Sequence, residues 1–185
     1  MRIIAGQWRG IPLATVGKGD PGAHLRPTPD RVRESLFSML THRDAIGGAH
    51  VLDLFAGTGA LGFEALSRGA ASAVFVENGR VGQKLIAENI KKLKAEDHAI
   101  LRRADATRPG APDDRTYDLI FLDPPYGKGL GEKALAAIRD HCAPGALIVW
   151  EENAARIAPD GYTLLDHRRF GGTHITLLEP STAQS

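Results

Sequence analysis

The chain has 185 residues, 43% hydrophobic and 24% charged, with a formal net charge of +1; this is enough for one well-buried domain and too little for two ordinary ones. No stretch reaches the roughly 18 apolar residues of a membrane span, and the start, MRIIAGQWRG, lacks the apolar core of a signal peptide, so a cytoplasmic location is expected. Cys142 is the single cysteine, which excludes an internal disulfide and a cysteine-based metal cluster and reads as a small core residue. The charge is unevenly spread. Residues 1–33 carry six Lys/Arg (Arg2, Arg9, Lys18, Arg26, Arg31, Arg33) against Asp20 and Asp30, a net +4, whereas the other 152 residues carry 17 basic and 20 acidic side chains, a net −3. A basic arm on a mildly acidic body suits a polyanionic partner, and it would equally suit an ordinary solvated surface.

Residues 1–25 read as a short hairpin or irregular extension, with β-prone pieces broken by Gly10 and Pro12. TPDRVRESLFSML then opens a helix, with Thr28 as expected N-cap, Pro29 at the first helical position and Asp30 complementing the dipole. Val32, Leu36, Phe37 and Leu40 form its apolar stripe. From residue 50 onward strand-like and helix-like stretches alternate: HVLDLFA, ALGFEALSRG, SAVFVEN, RVGQKLIAENIKKLK, AILRRAD, YDLIFLDPP, EKALAAIRDHCA and GALIVWEEN. Such alternation predicts an α/β fold with parallel strands and helices on both faces. YTLLDHRRF and THITLLEP, joined by Gly171-Gly172, predict an antiparallel pair at the end. The expected organisation is an N-terminal basic extension over residues 1–27 and one domain over 28–185.

VLDLFAGTGALG contains a literal G-x-G-x-x-G at Gly57, Gly59 and Gly62, a pattern usually read as a dinucleotide site. The glycines permit a tight turn, close backbone approach and helix packing on the sheet, which suits any nucleotide-like ligand. Glu77, twenty residues after Gly57, is placed to accept hydrogen bonds from ribose hydroxyls. Asp53 discriminates between ligands: a carboxylate four residues before Gly57 repels a pyrophosphate and favours a cationic ligand such as the ammonium of S-adenosylmethionine. Capping of nearby backbone amides is its structural alternative. Asp105 offers a further acceptor for an adenine amine, or a surface cap.

Asp123-Pro124-Pro125-Tyr126 ends the strand YDLIFLDPP. Two prolines cannot continue a ladder and leave carbonyls without neighbouring N–H competitors. Asp123 adds an acceptor and Tyr126 a flat face for stacking a base. Together they fit an exocyclic amine on a purine, whose lone pair must be drawn out of ring conjugation before it can attack a methyl group. His24, His42 and His174 read as surface groups, and Lys91, Lys92 and Lys94 as a solvated helix face. Arg168 and Arg169, beside the terminal turn, are a possible extension of a nucleic-acid surface.

With these residues in hand, the chain resembles the class I S-adenosylmethionine-dependent methyltransferases. More closely, it is similar to the bacterial 16S rRNA (guanine-966-N2)-methyltransferase family, RsmD, through MRIIAGQWRG, RPTPDRVRESLFSML, VLDLFAGTGALGFEALSRGA, FVENGR and DLIFLDPPYGKG. The pairing of RIIAG…RG with RPT…DRVRE ahead of the domain is the specific part. The resemblance implies a Rossmann-like, seven-stranded, mostly parallel sheet with its last strand antiparallel, helices on both faces and an N-terminal β-hairpin extension. It implies methyl transfer from S-adenosylmethionine, without a metal, to the N2 amine of a guanine in 16S rRNA of the small ribosomal subunit. Asp53, Phe55, Gly57, Gly59, Glu77 and Asp105 are then expected to bind the cofactor, and Asp123, Pro124, Pro125 and Tyr126 the target base. Arg2, Trp8, Arg9, Arg26, Thr28 and Arg31 are expected to contact RNA or the site entrance. A monomer is expected, since nothing reads as an extended apolar interface. An adenine-N6 methyltransferase shares D-P-P-Y and stays open, as do, more remotely, a nicotinamide-dependent reductase and a non-catalytic ribosome assembly factor.

Overall fold

A computed structural model describes residues 1–17, 28–112 and 114–182. Arg26, one of the expected RNA contacts, lies outside them. The described elements run α1 (Asp30–His42), β1 (His50–Leu54), α2 (Ala60–Ser67), β2 (Ser72–Val76), α3 (Arg80–Leu93), β3 (Ala99–Arg102), β4 (Tyr117–Leu122), α4 (Leu130–Ala137), β5 (Cys142–Glu152), β6 (Tyr162–Phe170) and β7 (Thr173–Pro180). The strands form one seven-stranded sheet in the order β3-β2-β1-β4-β5-β7-β6. β3, β2, β1, β4 and β5 are parallel neighbours, and β7 runs antiparallel between β5 and β6. This is the expected Rossmann-like arrangement, with the final strand inserted in reverse.

The near-continuous burial of β1, β2 and β4 follows from their apolar runs, since a parallel strand covered on both faces has no solvent side. One face packs Val51, Phe75, Phe121 and Val149 against Leu36, Phe37 and Leu40 of α1, Phe63 of α2 and Ile86 of α3. The other packs Leu52, Val74, Ile120 and Trp150 against Ala134 and Leu135 of α4. The helices after β1 and β4 therefore leave to opposite faces, which opens a crevice between those neighbouring strands at their carboxyl ends.

Three local expectations are corrected. Thr28 does not cap α1: Pro29 occupies the N-cap position without a side-chain cap, and the Thr28 hydroxyl donates instead to Glu151 Oε2 at 2.9 Å. The buried face of α1 consists of Arg33, Leu36, Phe37 and Leu40, with Val32 only half-buried. Arg33 is thus no part of a basic surface; its Nη2 donates to Asp30 Oδ1 at 2.7 Å and to the Arg2 carbonyl at 2.8 Å. These local acceptors engage only Nη2, and Nε and Nη1 are buried without a partner among the described residues; sequence alone does not reveal this placement.

The expected N-terminal hairpin is present in short form: Arg2 bridges Pro12 antiparallel, and the Ile3 and Leu13 N–H groups donate across to the Ile11 and Met1 carbonyls at 3.0 and 3.1 Å. Pro12 has no N–H for a ladder, and Gly10 turns the chain at φ 83°. The segment nevertheless belongs to the body of the fold: Ile3 and Leu13 enter the α1–α3 core. Glu64 on α2 accepts the N–H groups of Ile4 and Ala5 at 2.8 and 3.0 Å and pairs with Arg68 at 2.7 Å.

Candidate active site

The glycine loop begins where β1 ends. Phe55 takes φ 57°, unusual for a bulky L-residue, and Gly57 and Gly59 follow at φ 57° and 79°. Such strain persists only where surroundings hold it in place, and it concentrates at ligand clamps. Here the hold is explicit: Glu77, just past β2, accepts the Gly57 N–H on Oε2 at 2.8 Å and the Gly79 N–H on Oε1 at 2.6 Å. Each oxygen keeps a lone pair for a further donor. The helix after the loop also needs its glycine, because a Cβ on Gly62 would stand 2.4 Å from the Phe75 ring and 3.0 Å from Asp53 Oδ2.

Asp53 is 2% exposed and accepts the Gly62 N–H at 2.9 Å. Of its two sequence readings the amide-capping one is what the structure contains, and any pull on a cation acts from beneath the loop as a field. Burial pushes its carboxyl up to about 8; the Gly62 N–H opposes this and the charge of Glu77 adds to it. Asp105 lies beyond β3 and takes both the N–H and the hydroxyl of Thr107 on Oδ1, each at 2.8 Å. These bonds hold its pKa below the usual carboxylate range, so it is a charged acceptor at the same edge.

Across the crevice, Asp53 pairs with Phe121 and Phe121 with Val149. Asp123 and Glu151 each stand two residues further along, so alternation turns both toward the α1 face of the sheet, as with Asp53. The two share the mouth of the crevice. Asp123 is half-buried; desolvation, then the charges of Glu151, Asp53 and Glu152, raise its pKa well above the ordinary range. Tyr126 is 39% exposed and donates its hydroxyl to Glu151 Oε1 at 3.1 Å. Burial in the first place, and then the charges of Glu151 and Asp123, raise the phenol's pKa.

Asp53, Phe55, Gly57, Gly59, Glu77, Asp105 and Asp123–Tyr126 thus gather at one edge of the sheet, as expected. Thr28 reaches it too, at 7% exposure and bonded to Glu151. Arg2, Arg9 and Arg31 are exposed. Trp8 sits elsewhere: its N–H donates to Ser67 Oγ at 3.0 Å, at the C-terminal end of α2. That is the length of an eight-residue helix from the glycine loop, about 12 Å. Sequence reasoning missed Glu151, 4% exposed, and Glu152, 1% exposed. The available signal was VWEEN, carboxylates closing an apolar strand as Asp123 does in IFLDP.

Residues 1–179 match the family described as conserved hypothetical protein 95. The chain is 40% identical over 169 residues to ribosomal RNA small subunit methyltransferase D of Escherichia coli K12, covering 89% of this chain and 82% of that protein. It is 35% identical over 178 residues to the protein of the same name from Haemophilus influenzae, covering 92% and 89%. Among solved structures, the Escherichia coli methyltransferase yhhF superposes with a TM-score of 0.83 at 37% identity, over 97% of each chain.

Proposed function

The chain belongs to the ribosomal RNA small subunit methyltransferase D family, and from that premise we propose that it transfers a methyl group from S-adenosylmethionine to the exocyclic N2 amine of a guanine, position 966, in 16S rRNA. The observation that carries this reading is the juxtaposition of a strained glycine loop at β1 with Asp123 and an open Tyr126 face at β4, on adjacent strands.

The loop fits the cofactor. Gly59 and Gly62 leave no room for a Cβ because it would meet the Phe63 and Phe75 rings, so these glycines let the loop and α2 pack closely on the sheet behind the ligand site. Glu77 lies directly behind the loop with a lone pair left on each oxygen, which suits a ligand with ribose hydroxyls, and Asp53, bonded to the Gly62 N–H, would favour a cationic end in its ionised form. Phe55, Gly57 and Gly59 would line the methionine side, Glu77 the ribose and Asp105 the adenine. S-adenosylmethionine supplies an electrophilic methyl group on a sulfonium when bound.

The remaining chemistry is positioning. Tyr126 would stack the unpaired guanine, contributing about 1–3 kcal/mol toward the cost of removing it from its helix. Asp123 and the carbonyls of the two-proline turn would accept hydrogen bonds from the N2 amine, fixing its lone pair in line with the methyl group. When the nitrogen becomes cationic it must lose a proton; Asp123 is the adjacent acceptor in its ionised form, which desolvation and then the charges of Glu151, Asp53 and Glu152 disfavour. Arg2, Trp8, Arg9 and Arg31 would meet RNA phosphates and bases, with Arg26 as a further candidate; the partner is the small ribosomal subunit and the working form a monomer.

Replacing Asp123 by Ala is expected to lower methyl transfer at least about 100-fold, while calorimetric affinity for S-adenosylhomocysteine stays within about twofold, since Asp123 would touch the base and not the cofactor. An Asp123→Ala protein with full transfer activity would contradict the assignment.

A further inference from the structure

We infer that Glu151 is a positioning residue for the target base: its two carboxylate oxygens latch the Tyr126 hydroxyl to the Thr28 hydroxyl, so that the start of α1 fixes the aromatic face beside Asp123. The inference rests on the reading of Tyr126 as a base platform and adds a residue and a linkage that the reading does not contain.

Tyr126 stands on the loop after β4, outside any helix or strand. Two prolines precede it, and Gly127 and Gly129 follow at φ 71° and 64°. Its ring is open enough to stack a base, and an unrestrained ring would have to surrender its rotamer freedom at the moment of binding. The hydrogen bond to Glu151 removes that cost beforehand. Glu151 is itself held in place: it is the penultimate residue of β5, pairs with Ile175 of β7 and is 4% exposed. Its second oxygen is spent on Thr28, 123 residues away in sequence, immediately before α1.

A purely structural tie would be poorly served by a carboxylate here. Thr28 and Tyr126 are both neutral donors, and among the described residues no cation pairs with Glu151. Removing a carboxylate from water is costly without such a cation, and a neutral acceptor would join the same hydroxyls more cheaply. What the carboxylate adds is strength and direction, because hydroxyls bonded to an ionised oxygen are held about twice as firmly as those bonded to a neutral one. It also places a second carboxyl next to Asp123, where it keeps that group's proton affinity high.

The test compares Glu151→Gln, Tyr126→Phe and the double variant in two measurements. In methyl transfer to unmodified small subunits, each single variant is expected to lose roughly tenfold in kcat/KM for the RNA, with S-adenosylhomocysteine affinity and melting temperature close to those of the parent. The double variant is expected to be no worse than the weaker single one, because both break the same bond. Losses that multiply in the double variant, or full activity in Glu151→Gln, would overturn the inference. The second measurement needs no turnover: with tyrosine rings labelled with carbon-13, Glu151→Gln should shift or broaden the Tyr126 resonance and leave those of Tyr117 and Tyr162 in place. An unmoved Tyr126 signal would overturn the latch even if activity fell. If the parent protein methylated no RNA, the functional reading would fall, and the Tyr126 resonance would still decide whether Glu151 holds the ring.

Discussion

Asp53 and Asp123 are carboxyl groups held where their charges are expensive, and this gives the protein a pH signature at the level of single residues. The folded chain keeps a proton on Asp53 up to about 8, whereas the group's ordinary value is 3.8. The unfolded chain therefore sheds that proton first, and the folded state loses stability relative to it as pH rises between the two values. Asp123 is shifted in the same direction and adds to the slope. Asp53→Asn keeps an oxygen for the Gly62 N–H and removes the titration. Its melting temperature is expected to exceed that of the parent by a margin that grows from about pH 4 to about pH 8 and then levels off. Thermal melts of both proteins across that range check this; a constant difference would show that Asp53 does not titrate there.

At the scale of elements, the central parallel strands were legible because each is a mostly apolar run closed by Gly, Pro or a charge, as in HVLDLFAG and YDLIFLDPP. The same rule exposed Asp53 and Asp123, which interrupt or end such runs. Glu151 was not legible as a site residue, because its meaning lies in two hydroxyls 123 and 25 residues distant that only the folded sheet brings together. The start of α1 was misread for a related reason: Thr28 has the chemistry of a cap, and a buried carboxylate competes successfully for its hydroxyl. Arg33 was misread because a guanidinium buried on one pair of acceptors, the Arg2 carbonyl and Asp30, cannot be told in sequence from a solvated one. The N-terminal segment, expected as an appendage, is bolted to α2 by Glu64, which is fully buried and holds Ile4, Ala5 and Arg68. Glu64→Ala leaves Arg68 and two N–H groups unpaired, and a loss of roughly 3 kcal/mol in unfolding free energy is expected. Denaturant titration measures it, and a change under about 0.5 kcal/mol, the range of an ordinary surface substitution, would show that the segment is not part of the cooperative unit.

Taken as a whole, the molecule sets an edge rich in carboxyl groups, with Asp53, Asp123, Glu151 and Glu152, against cations at its margins. Arg31 is exposed in the first turn of α1, Arg168 and Arg169 near the β6–β7 turn, and Arg2 and Arg9 on the N-terminal segment. On the proposed reading, a polyanion would be drawn to the periphery and a neutral base admitted to the crevice. Because Trp8 and Arg9 sit about one α2 length from the glycine loop, a nucleic acid reaching both must extend well beyond one nucleotide. Among the described residues no helix is long and apolar enough to cross a membrane. The assignment of substrate and atom can be read in a single reaction. The protein is incubated with methyl-labelled S-adenosylmethionine and unmodified small ribosomal subunits, and the RNA is digested to nucleosides. Label in N2-methylguanosine from 16S rRNA is the expected result; label in N6-methyladenosine, or none in any nucleoside, would contradict it.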